Sequence, residues 1–468
     1  MIFNSLAFLV FFPAVTLIYF LLPSLRWRNM FLLIASYYFY MNWKPEYALL
    51  LFTSTFITYL ASLGIERYER HKKLWVTLSA VSNLSILFFF KYYNWLGANI
   101  TAGLQSAGLA IEIPHLDILL PVGISFYTFQ ALGYTIDAYR KDVKVERNFF
   151  RYALFVSFFP QLVAGPIERS TNLLQQFYDK RSFDYANFMP GLNLMLWGYF
   201  MKLVVADRCA LYVDAVFNNP AHHNGGSFLL ASILFTFQIY GDFAGYTYIA
   251  IGAARIMGFK LHDNFRRPYF ATTITEFWHR WHISLSTCFR DYVYIPMGGS
   301  RKGNAKTYRN ILLTFLLSGI WHGANWTFVL WGTLHGLIQC IERAFKWPKQ
   351  QFAGLSRVAH YGLTMSIVVL AWLLFRADSI QAAWWALTQI FTNMAMPFVG
   401  FNNPTEWALV LLGVSILMVK EIIDERGINF HLSQSKSWLV RHTYALGMMF
   451  VILLCGVLEG GQFIYFQF

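Results

Sequence analysis

Apolar residues in this chain are grouped in long runs that carry few or no charges. The clearest runs are residues 5–23, 47–64, 74–90, 228–240 and 442–458. A helix of about 20 residues is needed to cross a bilayer, so merging the interrupted runs predicts roughly 10 to 12 membrane-embedded helices. The pattern therefore predicts an all-α polytopic membrane protein.

The first run has the position of a secretion signal, since it falls within residues 1–23. It lacks a basic start and an evident small-x-small cleavage site, and further apolar runs follow at once. We therefore expect a retained first helix.

Composition supports the membrane class. Hydrophobic residues make up 57% of the 468 residues and charged residues only 13%, whereas soluble domains carry about 25%. The mean hydropathy is +0.43. The four cysteines are scattered without a C-x-x-C pair, so we expect packing residues and neither a disulfide framework nor a zinc site.

The net charge of +13 is carried by short basic clusters between the apolar runs. Loops rich in Lys and Arg stay on the cytoplasmic side, and anionic lipid reinforces that orientation. A cytosolic polyanion such as a nucleotide would also be attracted to them. A nucleic-acid module is not indicated, because the clusters do not form one extended face. They are Arg26 and Arg28; Arg67, Arg70, Lys72 and Lys73; Arg140, Lys141, Lys144 and Arg147; and Arg301, Lys302, Lys306 and Arg309.

No linker or low-complexity tract divides the chain, so residues 1–468 are interpreted as a single integral membrane domain. Its middle, about residues 121–343, differs from the rest because Gly, Pro, charged and imidazole side chains interrupt the apolar segments. Such groups are costly at membrane depth and persist where they face a cavity, a pathway or each other. A channel, a transporter or a membrane enzyme would justify them, and a passive scaffold would not.

The densest polar motif is residues 275–286. If the motif is one helix, a single face carries two indoles, an imidazole and a hydroxyl, and an ion pair forms at i, i+4. The alternative is an interfacial belt of aromatic residues. The face comprises Trp278, Trp281, His282 and Ser286, and the ion pair joins Glu276 to Arg280.

A second motif places His322 between Gly319 and Gly323, followed by Asn325, in a stretch without charge. Glycine allows a backbone or a ligand to approach closely, which favours a functional histidine over a satisfied core residue. His335 lies 13 residues further on, about 19.5 Å along an ideal helix, so it cannot share the site of His322 unless the chain bends.

Three other segments carry polar side chains in apolar surroundings. Asp242 lies between two glycines and is a candidate partner for an Arg or a His, or a residue that orients a substrate. Arg266 and Arg267 are suited to bidentate phosphate contact, with a topology signal as the alternative. Residues 159–169 contain two prolines and a glycine, which predict a break in a span.

Together these motifs resemble the bacterial branch of the membrane-bound O-acyltransferase (MBOAT) superfamily that O-acetylates alginate and peptidoglycan, with the teichoic acid D-alanyl transfer protein as a more distant relative. The likeness runs from residue 1 to at least residue 343. It implies tilted helices around a central tunnel, open to the cytosol for the acyl donor and to the outer side for the acceptor. The most specific segments are residues 121–127, 159–166, 240–246, 276–286 and 321–325.

The resemblance also implies roles for particular residues. The family's invariant-type histidine falls on His322 and a second functional histidine on His282, whereas His279 stands where the family commonly has arginine. A neutral imidazole can take the proton of a hydroxyl that attacks a thioester, so His322 is the predicted base, and His282 would polarise the thioester or orient the donor. Acetyl-CoA is the predicted donor substrate, with no bound cofactor or metal. The predicted substrate-binding residues are Trp278, Trp281, Ser286, Arg266, Arg267, Asp242 and Asn325.

The last segment, residues 459–468, contains Tyr465 among aromatic residues. Taken alone it indicates interfacial anchoring. The resemblance implies instead an acyl carrier that passes the group to a periplasmic SGNH-type transferase. The expected function is O-acetylation of an extracytoplasmic polysaccharide, and the expected location of the protein is the bacterial inner membrane. The alternative is a transporter or flippase of an anionic lipid-linked glycan.

Overall fold

A computed structural model describes residues 1–163, 165–350, 352–400, 404–428 and 432–458, and within these ranges the chain is helical, with no strand. In chain order the helices are α1 (Leu6–Leu21), α2 (Leu25–Met41), α3 (Tyr47–Arg67), α4 (Lys72–Ser106), α5 (Ile124–Arg140), α6 (Phe149–Ser157), α7 (Phe159–Leu162), α8 (Tyr185–Tyr199), α9 (Asp207–Phe217), α10 (Gly225–Ile256), α11 (Ile274–Arg280), α12 (Ile283–Phe289), α13 (Asn304–His322), α14 (Trp326–Ala344), α15 (Gly354–Arg376), α16 (Ile380–Thr392), α17 (Pro404–Glu425) and α18 (Trp438–Cys455).

Five helices are long and apolar enough to cross a membrane within the described ranges, and one of them, α4, is extended by the turn that precedes it. Four of the apolar runs predicted from sequence lie in or overlap them, whereas the first run forms the shorter α1. The all-α polytopic membrane class is confirmed. The total of roughly 10 to 12 embedded helices stays a prediction. The five are Glu69–Ser106, Tyr47–Arg67, Gly225–Ile256, Gly354–Arg376 and Trp438–Cys455.

The chain divides into two compact units. One comprises Met1–Phe188 with Ala253–His262, and the other comprises residues 189–252 together with the described chain from residue 263 onward. The sequence predicted a single integral membrane domain over residues 1–468, and that stays a prediction.

In the first unit, α3 packs against α4 and α5, and α2 packs against α6. Helix α1 ends before Pro23, and the buried guanidinium of Arg28 donates to the carbonyls of Phe20 and Leu22 at 2.9 and 2.8 Å, which satisfies the end of the helix. The break predicted within residues 159–169 is confirmed, because α7 is a single turn that ends at Leu162.

The second unit contains the motifs around Asp242, Arg266, His282 and His322 together with α13–α18, whereas residues 159–169 belong to the first unit. A π-helical segment, Phe200–Ala206, joins α8 to α9. Helices α13 and α14 pack extensively against each other. All the candidate residues described below belong to this unit.

Candidate functional site

Helices α13 and α14 form a hairpin whose backbones touch. A Cβ atom on Gly319 would lie 3.1 Å from the Cα of Gly332 and would overlap the carbonyl oxygen of Phe328. Real Cβ atoms do not approach so closely, so only glycine allows this contact. The close approach predicted at Gly319 is confirmed, and its partner is the backbone of the next helix.

Asn325 starts the second arm of the hairpin. Its side-chain oxygen accepts from the backbone N–H of Thr327 at 3.0 Å, and its amide donates to the carbonyl of Asp378 at 2.7 Å. These bonds cap α14 and fix the reversal of the chain. Substrate binding by Asn325 stays a prediction.

His322 is the last residue of α13, and 3% of it is exposed. Its ring lies edge-on to the indole of Trp331 at 4.9 Å and to the ring of Phe375 at 5.5 Å, measured between centroids. The indole of Trp321 lies 5.0 Å away. The histidine that the sequence singled out is therefore enclosed in an aromatic shell.

The reversal at the hairpin brings His335 near this shell. Trp331 contacts both His322 and His335, and its ring centroid lies 4.9 Å from that of each imidazole. The bend that the sequence analysis required for such proximity is present, because α13 ends at His322. Gly323 and the Asn cap that follows it were the available signals.

His335 accepts a hydrogen bond from the indole N–H of Trp278, with Nε1 3.4 Å from Nδ1. Because an indole nitrogen only donates, the accepting Nδ1 carries no proton and the ring proton lies on Nε2. No role for His335 is predicted from the sequence.

The motif at residues 275–286 is not one helix, and the prediction of a single continuous face is wrong. Helix α11 ends at Arg280 and α12 begins at Ile283, while His282 between them has φ 44° in the left-handed region. Residues 264–266 stabilise the break, since the N–H of Ile283 donates to the carbonyl of Asn264 at 3.0 Å. The ion pair of Glu276 with Arg280 is confirmed at 2.6 Å.

His282 is fully buried and its ring is oriented by Asn264. The Oδ1 of Asn264 accepts from the backbone N–H and the hydroxyl of Ser284 at 3.0 and 2.9 Å, and it lies 3.2 Å from Nδ1 of His282. An oxygen that accepts these bonds requires His282 to donate from Nδ1, which leaves Nε2 as the basic nitrogen of the neutral ring. The role of Asn264 is not visible in the sequence, because its partners His282 and Ser284 lie 18 and 20 residues later.

The two candidate histidines contact the same indole. The ring of His282 lies 6.2 Å from that of Trp321, which in turn lies 5.0 Å from that of His322. On another side, the ring of Phe243 stands perpendicular to His282 at 4.7 Å. The structure thus brings together His322, His282 and, through Trp331, His335.

Trp281 and the two arginines lie in other surroundings. Trp281 is 1% exposed and stacks on Phe277 at 5.6 Å, as a core residue does. Arg267 donates to Glu425 at 2.7 Å, and Arg266 lies 3.5 Å from the exposed carboxylate of Asp263. The paired arginines therefore engage different carboxylates. Substrate binding by these three residues stays a prediction.

Asp242 forms an ion pair with Lys202, a residue that the sequence analysis did not single out. The ammonium lies 2.6 Å from Asp242 and 2.8 Å from Asp207, and all three side chains are at most 5% exposed. Buried charges are tolerated in a low-dielectric interior when they are paired and hydrogen-bonded, and here one ammonium serves two carboxylates. The ion pair gives Asp242 a structural explanation, and its predicted substrate role is untested.

A cavity of about 640 Å³ extends along the hairpin toward His322. This volume lies in the range of ordinary ligand pockets, which is about 300–1,000 Å³. Trp278 and Ser286, both predicted to bind substrate, line it. Along α13 the lining reaches Ser318, one helical turn before His322. The basic residues of the lining are Arg290, Arg343 and Lys346.

The described residues contain no group of three or more His, Cys, Asp or Glu that could hold a metal ion. Tyr465 and the rest of residues 459–468 lie outside the described residues. The acyl-carrier role of Tyr465 therefore stays a prediction.

Comparisons with known proteins agree with the motifs. The family model described as MBOAT, membrane-bound O-acyltransferase family, matches residues 37–375. The probable alginate O-acetylase AlgI of Pseudomonas syringae pv. tomato is 40% identical over 389 residues, which cover 82% of this chain and 74% of that protein. The peptidoglycan O-acetyltransferase of Helicobacter pylori is 32% identical, and the alignment covers 100% of this chain and 98% of that protein.

A third similarity covers less of the chain. The teichoic acid D-alanyltransferase of Bacillus subtilis is 32% identical over 251 residues, which are 51% of this chain and 62% of that protein.

Proposed function

Since the chain belongs to the membrane-bound O-acyltransferase family, we propose that it takes acetyl from cytosolic acetyl-CoA and passes it across the membrane for O-acetylation of an extracytoplasmic polysaccharide. The chain is a multi-pass membrane acyltransferase. The proposed donor rests on one observation above all, a cavity with basic residues in its wall that stops one helical turn from a buried histidine. The proposed acceptor class rests on the similarity to the O-acetyltransferases named above.

The cavity suits a CoA thioester. Guanidinium and ammonium groups of Arg290, Arg343 and Lys346 match the phosphates of CoA. Aromatic and hydroxyl side chains line the part of the wall nearest His322. Ser318 precedes His322 by four residues, which is about 6 Å along a helix.

We assign the base to His322. Its imidazole takes the proton of the attacking hydroxyl while the new C–O bond forms at the thioester carbonyl. The C–S bond then breaks, and the CoA thiolate leaves with the proton that the imidazolium returns. A positioned base of this kind contributes about 10²- to 10⁴-fold to the rate.

His282 is assigned to orientation. With Nδ1 donating to Asn264, the neutral ring offers Nε2 as an acceptor. An acceptor can hold an N–H or O–H group of a substrate, but it cannot polarise a carbonyl oxygen. Of the two roles expected from sequence, the geometry favours orienting a substrate group.

For the outer side we propose a relay through Tyr465 to a periplasmic SGNH-type transferase, with the protein in the bacterial inner membrane. The relay is supported by the resemblance of residues 463–468 to the terminal tyrosine motif. The relatives named above act on alginate and on peptidoglycan, and a polysaccharide hydroxyl is common to both.

The test uses full-length protein in lipid nanodiscs with radiolabelled acetyl-CoA and an oligosaccharide acceptor, with and without the SGNH partner. Release of CoA should fall at least about 100-fold in His322→Ala. It should remain unchanged in His222→Ala, a control at an exposed turn. Undiminished turnover in His322→Ala would contradict the assignment.

Mass spectrometry should find acetyl on Tyr465, and Tyr465→Phe should lose transfer to the partner. Wild-type turnover in Tyr465→Phe would exclude the relay while leaving the donor reaction intact. For the transporter alternative, uptake of a lipid-linked glycan into vesicles without acyl-CoA turnover would be the supporting result.

A further inference from the structure

One wall of the cavity is formed by an indole. Trp278 lines the cavity, is 5% exposed, and contacts Phe315, Trp331 and His335 at centroid distances of 5.3, 5.6 and 5.3 Å. Trp331 in turn contacts His322. The indole of Trp278 therefore forms the wall of the cavity on the side of Trp331, the ring that touches the proposed base.

The orientation of this indole is set by a buried imidazole. The Nε1–H of Trp278 donates to Nδ1 of His335, and the two rings stand at 89°. His335 is 1% exposed and lies in a stretch without charged residues. A buried polar group at such a place needs a partner, and Trp278 supplies it.

The imidazole itself has little room to turn. Trp331 packs edge-on at 4.9 Å, and Phe277 lies parallel at 6.5 Å. In helix α14, His335 lies between two glycines, Gly332 and Gly336. A Cβ on Gly336 would lie 3.1 Å from the Cβ of Phe315. The helices approach closely here, so the direction of the Nδ1 lone pair is fixed, and so is the indole that it binds.

We propose that His335 is a positioning residue that determines which acyl groups the enzyme accepts, by holding the indole of Trp278 as a wall of the donor cavity. This rests on the proposed function, because it takes the cavity as the acyl-CoA site. An acetyl group fits in front of a fixed indole. A longer chain requires the indole to move, which breaks its bond to His335.

The test compares two substitutions at one position. In His335→Asn the amide oxygen lies near the place of Nδ1 and keeps an acceptor for Trp278, whereas His335→Leu fills the space without one. Each variant, in nanodiscs, is assayed for CoA release from acetyl-, propionyl- and butyryl-CoA. The measured quantity is the ratio of kcat/KM for butyryl-CoA to that for acetyl-CoA.

We expect His335→Leu to raise this ratio about three- to tenfold, the range that corresponds to one hydrogen bond. His335→Asn should stay within about twofold of the wild type. Trp278→Phe removes the donor from the other side, so it should raise the ratio as well. The double variant should add little, because both changes remove the same bond.

An unchanged ratio in His335→Leu, an Asn variant that behaves like Leu, or additive single changes would each overturn the inference. If His335→Leu does not fold, as judged by size-exclusion chromatography and thermal unfolding, His335→Met, which also offers Trp278 no nitrogen or oxygen acceptor, takes its place. An unchanged ratio beside normal acetyl-CoA turnover leaves the proposed function standing. A wild-type protein that consumes none of the three thioesters contradicts both.

Discussion

The side-chain oxygen of Asn264 lies 3.2 Å from Nδ1 of His282 and binds the first turn of α12 through Ser284 at the same time. One amide therefore fixes both the tautomer of a candidate catalytic histidine and the helix break at which that histidine lies. The positive φ of His282 is held by this arrangement.

Asn264→Ala should lower turnover about 10- to 100-fold, because it leaves a buried imidazole N–H without its acceptor. Asn264→Asp keeps an acceptor and should retain more activity than the alanine variant. Initial rates of CoA release measure both, with the exposed Asn219→Ala as control. Equal losses in the Ala and Asp variants would argue against an orienting role.

Gly332→Ala should lower the free energy of unfolding by about 1–3 kcal/mol, because its methyl group would overlap the carbonyl of Phe315 and force the hairpin apart. Thermal unfolding in detergent measures the change. Gly362→Ala is the matched control, since nothing lies within 4 Å of a Cβ there, and alanine favours the helix. A Gly332 variant as stable as the Gly362 variant would contradict the close contact.

Lys202→Met should destabilise the protein by about 3–5 kcal/mol, because two buried carboxylates lose their shared ammonium. Adding Asp242→Asn should recover part of the loss by removing one of the stranded charges. The exposed Lys73→Met serves as control. Urea or thermal unfolding reports the order of the three variants, and no recovery in the double variant would contradict the pairing.

Arg343→Gln should raise KM for acetyl-CoA about three- to tenfold with little change in kcat, because an exposed cation contributes modestly to phosphate binding. The same variant should bind acetyl-pantetheine, which lacks the phosphates, as the wild type does. Steady-state kinetics at two salt concentrations tests both statements. An equal rise in KM for the truncated thioester would argue against a contact between Arg343 and the phosphates. Arg357→Gln, at an exposed position of α15, is the control.

The sequence predicted the fold class and the enclosed histidine because both depend on local composition. Long uncharged runs indicate spans wherever they lie, and an imidazole within such a run is visible without a structure. The ion pair of Glu276 with Arg280 was predictable for the same reason, since it lies within one turn of α11.

Other features depend on segments that are distant in sequence. No proline or glycine near His282 indicates the helix break in the sequence. The break is stabilised instead by Asn264, which lies 18 residues earlier. Lys202 meets Asp242 across 40 positions, and no periodicity along one helix could indicate that pair. The proximity of His335 to His322 was predictable in part, because the spacing of the two residues shows that they can meet only if the chain bends between them.

The contact between Gly319 and Gly332 also limits how the enzyme could be redesigned. Where two backbones meet, there is no side chain to shorten, so the seam of the hairpin offers nothing to engineer toward bulkier donors. The changeable positions are the aromatic residues that face that seam, Trp278 and Phe315. Laboratory evolution for longer acyl groups should therefore collect its substitutions at these two rings and at His335, which holds the indole of Trp278, and leave the glycines untouched.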